Sequence, residues 1–367
     1  MDRHARPLSD MVAHYDVVVV GSGYGGAIAA CRLSRARRSV ALFERGRELH
    51  PGEYPTRIRD AASHLQISGP GLGSDRQIGD KRNLYWLHTD GEMNVFSGCG
   101  LGGTSLVNAN VSLRPDPRIF DARWPGKLRP DGQGRIAEAL ARGFDAAEAM
   151  LCPTTYPETF PRLAKVAALQ EAVGDRKITP APVNVSFREG LNAAGVYQQA
   201  CTGCGDCVTG CNFGAKNTVL MNYLPDAVAH GTQIFTEIEI RSIEQAADGR
   251  RWIVRAQPLG LGLEKELGGP PVTVTADLVV LAAGTLGTTE ILMRSSEDGL
   301  RLSEQLGLHF TGNGDVVGFV QRPGTRVHAV GVGRHAPDPT SPVGPCISAI
   351  IDHRSSMSGR RSRSTRA

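Results

Sequence analysis

Two clusters of residues carry chemistry that can be read from type and spacing. The first is Gly21-Ser22-Gly23-Tyr24-Gly25-Gly26, a G-x-G-x-x-G run with an acid, Glu44, further on. In such a run the first glycine permits a tight turn and the second lets the backbone meet a pyrophosphate. The third, here Gly26, lets helix and strand pack closely, while an acid about 20 residues on accepts hydrogen bonds from ribose hydroxyls. Together they predict a dinucleotide site at Gly21, Gly23, Gly26 and Glu44. The acid disfavours a 2′-phosphate, which leaves FAD or NAD. The second cluster is Cys201, Cys204, Cys207 and Cys211, spaced C-x2-C-x2-C-x3-C. Thiolates at this spacing wrap an iron–sulfur cluster such as [4Fe–4S]. Asn212 stands where ferredoxin runs have proline, and there is a single run. A lone cluster would need all four cysteines, or a further ligand such as Cys99 or Cys152. Zinc or metal-free thiols fit the same run.

These residues need elements to hold them. Residues 15–20, YDVVVV, form a short β-branched run of the kind found in strands buried on both faces. A helix over 27–37 and a strand over 39–43 ending at Glu44 complete a βαβ unit around the glycines. A helix N-terminus there would offer free N–H groups and a positive dipole end to phosphates. A second glycine-rich stretch, SGCGLGGTSLVNANVSLR at 97–114, reads either as a loop entering a strand or as a backbone surface for a flat cofactor. Strands are expected over 233–240, 252–256 and 272–281, the last leading through Ala282-Ala283-Gly284-Thr285 into a helix over 286–294. That is a further Rossmann-type approach to a cofactor. Residues 65–83 read as loop. The proline-rich stretch 116–200 reads as an insertion outside the sheet.

Composition excludes several classes. The chain has 367 residues, 41% hydrophobic and 21% charged, enough for about two ordinary globular domains. Of these, 44 are glycine, above the usual share of about 7%. The net charge is +4, but residues 353–367 hold five arginines and no acid, so the preceding residues sum to 4 − 5 = −1. A near-neutral body with a basic tail does not describe a nucleic-acid-binding protein. No apolar run approaches the roughly 20 residues of a membrane span. The N-terminus lacks a signal-peptide pattern, and four of eight cysteines crowd into one run rather than a dispersed disulfide framework. These features predict a cytoplasmic protein. The isolated histidines fall in no ligand or triad pattern, and no hydrolase motif occurs.

Three blocks in the same order resemble the glucose–methanol–choline (GMC) flavin oxidoreductases, and within them the bacterial cholesterol-oxidase-like branch. They are VVVVGSGYGGAIAACRLS with ALFERG, then GCGLGGTSLVNANVSLRP, then ADLVVLAAGTLGTTEILMRS. The cysteine block CTGCGDCVTGCNFGAKNT is also similar to one in sterol-oxidase-like members. The resemblance covers roughly residues 15–320 and implies FAD rather than NAD. It implies an α/β, Rossmann-like FAD-binding domain, discontinuous over 12–115 and 215–320. Residues 116–214 would be an inserted, incomplete substrate or cap region carrying the cysteines, and 353–367 a disordered tail. By the same resemblance Gly21, Gly23 and Gly26 hold the FAD pyrophosphate and Glu44 the adenosine ribose. Gly103, Asn108 and Val111 match positions along the flavin, and Ile240 an apolar adenine contact. The implied reaction is oxidation of an alcohol to a carbonyl with hydride transfer to flavin N5. The implied substrate is a 3-hydroxysteroid or similar bulky apolar alcohol, with oxygen or another acceptor reoxidising the flavin.

The sequence departs from that family after about residue 320. The substrate-facing sheet, the C-terminal flavin-binding segment and the His/Asn pair that handles the hydroxyl have no counterpart in this sequence. No residue present is therefore assigned as the catalytic base. The alternative expectation is a truncated, catalytically silent FAD-binding fragment, with an ending such as a frameshift or premature stop produces. A third is an electron-transfer flavoprotein whose cysteines pass electrons onward.

Overall fold

A run of four valines can stay extended only where both of its faces are dry, and the fold supplies that environment. The computed structural model describes residues 2–72, 77–116, 135–260, 270–312 and 338–353, with 316, 318, 327, 328 and 331. The prolines at 117, 125 and 130, most of 313–337 and the basic tail from 354 onward lie outside the described residues. The strand His14–Val20 sits inside a six-stranded sheet, parallel to Val40–Phe43 on one side and to Val272–Leu281 on the other. Val17 pairs with Val40 and Leu278, which fixes the register. Gln233–Phe235 adds a fourth parallel strand beyond Val40–Phe43. Trp252–Pro258 and Ile238–Gln245 extend the opposite side as an antiparallel meander.

Successive side chains on a strand face opposite ways. Val17 and Val19 enter one core with Ala27, Ala30, Leu42 and Leu224, while Val18 and Val20 enter a second with Phe43, Phe235, Val254 and Val274. On the first face the helix Tyr24–Arg35 packs beside Tyr223–Ala229. Asp226 fastens the two helices, accepting from Arg35 Nε at 2.8 Å, Arg35 Nη2 at 2.5 Å and Cys31 Sγ at 2.9 Å. On the second face the helix Gly284–Glu297 contributes Ile291 to the core, and Ser295 Oγ accepts from Ile243 N at 2.9 Å. The N-terminal segment covers the sheet edge, where Arg6 N donates to Ile234 O. An edge strand so covered cannot template pairing with another chain.

The α/β, Rossmann-like expectation is met, with differences that have local causes. The first helix begins at Tyr24 rather than 27, because Gly23 already serves as its N-cap. The last runs Gly284–Glu297 rather than 286–294. The single strand expected over 233–240 is broken at Glu237, whose φ is +61°, and Ile238–Gln245 crosses to the far edge of the sheet. Arg82 Nη1 holds the break by donating to Glu237 Oε2 at 2.6 Å. Residues 65–83, expected as loop, hold the strand Leu65–Ser68, which pairs parallel with Tyr85–Thr89; Asn94–Gly98 completes that small sheet. Residues 97–114 contain a 3₁₀ turn, Gly103–Leu106. The region 116–200 includes two helices, Arg135–Leu151 and Ala164–Val173.

Leu42 is fully buried between strand and helix, whereas Leu191 is 74% exposed. Leu42→Ala is expected to cost about 2–5 kcal/mol in urea unfolding, and Leu191→Ala within about 0.5 kcal/mol of none. Equal losses from both would show that the first core is not placed as described.

Candidate functional site

At the C-terminal ends of the parallel strands three chain segments come close enough to exclude any side chain. Gly21 has φ +93°, and a Cβ there would lie 2.5 Å from Ala282 O. A Cβ on Gly26 would lie 1.8 Å from Gly21 O, and one on Gly103 would lie 2.8 Å from Gly23 Cα. Gly23 differs from all three, since a Cβ there would meet nothing within 4 Å. It borders open space, and that space is a cavity of about 900 Å³.

The cavity is lined by residues 21–25, 43–45, 93–99 and 282–287, with Gly103, Ile240 and Phe310 among the others. Its size falls within the range of about 300–1,000 Å³ usual for small-molecule and cofactor sites. Two helices begin at it, Tyr24–Arg35 and Gly284–Glu297, and neither has a side-chain N-cap hydrogen bond. Their first N–H groups and positive dipole ends therefore suit an anionic group such as pyrophosphate. Glu44 is buried and oriented by the chain. Its Oε2 accepts from Ser22 N at 3.0 Å and Ser22 Oγ at 2.6 Å, and its Oε1 from Gly46 N at 2.8 Å. A carboxylate has about four acceptor positions, so with three used it retains room for one hydroxyl. Ser22 Oγ also accepts from Gly102 N at 2.9 Å, tying the dinucleotide turn to the second glycine-rich stretch. Arg45 lies over the Trp86 ring at 4.4 Å, walling the cavity with a stacked cation.

Of the residues singled out in the sequence, Gly21, Gly23, Glu44, Gly103 and Ile240 line this one cavity, and Gly26 supports it from behind by packing on Gly21. Asn108 and Val111 do not line it directly. Asn108 Nδ2 donates to the hydroxyl of Tyr24, a wall residue, at 3.2 Å, and Val111 bridges to Val183. Asn108 Oδ1 and Asn184 Oδ1 are buried next to this wall with no hydrogen-bond partner among the described residues.

The cysteine run gathers elsewhere. Cys201, Cys204, Cys207 and Cys211 surround a void of about 20 Å³, room for one water. Among the described residues no group of three or more His, Cys, Asp or Glu side chains is placed to hold a metal ion. The iron–sulfur and zinc expectations are not met by this arrangement. Nor do Cys99 and Cys152 join it. Cys99 is buried by the cavity wall, where burial pushes its thiol up, and Cys152 is exposed with its Sγ donating to Ala149 O. A fifth cysteine, Cys346, does not line the void but lies close by, its Sγ donating to Gly205 O at 3.3 Å and its thiol paired with Cys207. That bond, helped by the nearby Lys216 charge against the cost of burial, lowers Cys207 to about 6, while burial holds Cys201 up at about 12 and Cys204 at about 11. Lys216, itself lowered to about 8 by burial, donates to the carbonyls of Leu106, Asn108 and Cys207 at 3.1, 2.7 and 2.9 Å. Neither Lys216 nor Cys346 stands in a motif, so spacing carries no signal for either.

The fold and this cavity define a dinucleotide-binding class, and comparison with known proteins narrows it. The GMC oxidoreductase family model matches residues 15–311, and the chain belongs to that family. It is 31% identical over 317 residues to a cholesterol oxidase of Mycobacterium tuberculosis, covering 81% of this chain and 51% of that protein. A cholesterol oxidase of Acinetobacter baumannii is 28% identical over 313 residues, covering 80% and 53%. A long-chain-alcohol oxidase of Arabidopsis thaliana is 23% identical over 308 residues, covering 80% and 36%. The chain thus spans about half the length of the bacterial relatives. GMC oxidoreductases bind FAD, and two observations fit that group: two uncapped helix N-termini for its pyrophosphate and one free acceptor on Glu44. No helix among the described residues is long and apolar enough to cross a membrane.

The glycines separate fold from binding. Gly26→Ala drives a Cβ into backbone and is expected to give insoluble or strongly destabilised protein. Gly23→Ala should keep the melting temperature within about 2 °C, yet weaken dinucleotide binding by at least about tenfold, because its methyl enters the cavity. Thermal melts paired with FAD fluorescence titration check both. Unchanged FAD affinity in Gly23→Ala would contradict the assignment of the cavity.

Proposed function

We propose that the cavity holds FAD and that the chain forms the cofactor-binding part of an oxidoreductase converting an alcohol to a carbonyl. The observation that carries this reading is the 900 Å³ space at the strand ends, with two helix N-termini and the open side of Gly23 turned into it. Gly21, Gly23 and the first turns of the two helices would hold the pyrophosphate, Glu44 the adenosine ribose and Ile240 the adenine. Gly103 would face the flavin, with Asn108 behind it on the Tyr24 hydroxyl and Val111 backing the same segment. When bound, FAD would supply a hydride acceptor at flavin N5, opposite the carbinol carbon of the alcohol.

The chain's own residues then position and shield. Ser22 fixes Glu44 and the turn at 100–102 together, so adenosine and flavin ends are held by one hydrogen-bonded unit. Lys216 pins the Asn108 carbonyl, which sets the height of the flavin-facing segment. Met93, Phe96 and Phe310 line the cavity while remaining 40%, 53% and 45% exposed, so part of its rim is apolar. An apolar rim favours a bulky apolar alcohol, through burial of about 25 cal/mol per Å². The names of the relatives point the same way, two to cholesterol and one to long-chain alcohols. A 3-hydroxysteroid is the substrate class we favour, with oxygen or another small acceptor closing the cycle.

The purified chain should take up one FAD and turn yellow. Glu44→Gln should weaken that uptake by about 10- to 100-fold, the effect of neutralising a charged hydrogen-bond acceptor. Cholesterol and a long-chain primary alcohol, each with a dye acceptor, then test the reaction. Turnover of cholesterol alone supports the steroid reading; turnover of the primary alcohol alone overturns it in favour of the fatty alcohol. A yellow protein that oxidises neither limits the chain to FAD binding, and a colourless one that ignores added FAD sinks the whole proposal.

A further inference from the structure

Arg45 is a cation on the wall of the main cavity with no oxygen to donate to. It is half-buried, and its guanidinium lies over the Trp86 ring at 4.4 Å. Among the described residues none of its N–H groups meets a carbonyl or carboxylate oxygen at hydrogen-bond distance. Two carboxylates, Glu44 and Glu239, line the same cavity, and both are engaged elsewhere. Glu239 Oε2 accepts from Arg241 Nη1 at 2.8 Å and pairs with Lys81 at 3.5 Å, while Glu44 is held by Ser22 and Gly46. The buried Cys99 thiol beside Arg45 is a weak acceptor. A guanidinium keeps its charge in any protein site, so one withdrawn from water without an acceptor invites a ligand.

The chain fixes where that ligand is met. On either side of Arg45, Glu44 O accepts from Ile238 N at 3.0 Å and Gly46 O from Glu237 N at 3.2 Å. The strand that carries Ile240 therefore starts from the segment that carries Arg45. Trp86 is equally fixed, in the middle strand of the small sheet opposite Gln66 and Ser97, with Nε1 donating to Ser68 Oγ at 2.7 Å. Arg45 thus belongs to the end of the cavity shared by Glu44 and Ile240. The two helix N-termini suited to pyrophosphate follow other strands of the sheet, His14–Val20 and Val272–Leu281.

We propose that Arg45, backed by Trp86, recognises the purine ring of the dinucleotide. This rests on the reading of the cavity as a FAD site and adds the residue that selects the base. A purine supplies both things that Arg45 lacks, ring nitrogens that accept hydrogen bonds and a π-face for a planar cation. Trp86 covers the guanidinium from one side and leaves its donors to the cavity. A phosphate would use the charge of Arg45 alone, whereas a purine uses its flat shape. Lysine keeps the first and loses the second.

The test titrates the full chain, freed of flavin, with FAD and with ADP, alongside Arg45→Met and Arg45→Lys. Loss of a cation–π contact predicts affinities about 3- to 30-fold lower for both ligands in both variants. Flavin-free melting temperatures should stay within about 2 °C of the unmutated chain. The unmutated chain gives a second reading, in which ADP displaces FAD at least about threefold better than UDP, whose ring is smaller. Unchanged FAD affinity in Arg45→Met overturns the proposal, as does equal displacement by ADP and UDP. Arg45→Lys within about twofold of the unmutated chain assigns Arg45 to a phosphate instead, and a loss for FAD but not for ADP assigns it to the flavin end. Each of these leaves the FAD site standing; an unmutated chain that takes up no FAD overturns both readings together.

Discussion

Backbone meeting backbone at the mouth of the sheet is the constraint on which the rest of the molecule depends. Gly26 rests on the Gly21 carbonyl, Gly21 on Ala282, and Gly103 on Gly23, with no side chain between any of them. Those contacts set how close the helix Tyr24–Arg35 lies to its strand, and so where its free N–H groups point. They also bring strand ends from both halves of the chain to one place. The cavity is what remains after the segments have approached as closely as peptide groups permit. Ser22 turns this steric arrangement into a directional one, because its hydroxyl and amide both address Glu44.

What could be read from sequence follows from the range of the interaction responsible. The βαβ unit was legible because its signals are local: four valines in a row, three glycines at fixed offsets and an acid at the end of the next strand. The two-sided burial of Val17 to Val20 is the physical content of that apolar run. The break at Glu237 was not legible, since its cause is Arg82, far away in the chain. Leu65–Ser68 passed for loop because four residues among glycines carry almost no periodicity, and their partner Tyr85–Thr89 is separated by a turn-rich stretch.

The site divides in the same way. Gly21, Gly23, Glu44 and Gly103 converge on one cavity and each belongs to a motif or to a resembling block, while Ile240, which joins them there, lies in neither and was implied by the resemblance alone. Lys216 belonged to a block too, but nothing in its spacing shows a buried ammonium tying three carbonyls. The cysteine run shows where spacing stops. Spacing reports that four sulfurs can be drawn together, but not the shape of the space between them. The space they enclose is about the size of one water.

The central strand also has a temporal meaning. One of the two sheet neighbours of His14–Val20 is made more than 250 residues after it, as the 261-residue separation of His14 from its hydrogen-bond partner Thr275 records. Until then a strand made of valines has one open hydrogen-bonding edge and an unfinished second core. Parallel pairing across such separations is slow, and unpaired apolar strands are the usual seeds of aggregation. The same two-sided burial that makes the finished sheet stable therefore leaves the strand exposed while the intervening residues are made. For this architecture, yield in the cell is governed by how long those valines must wait.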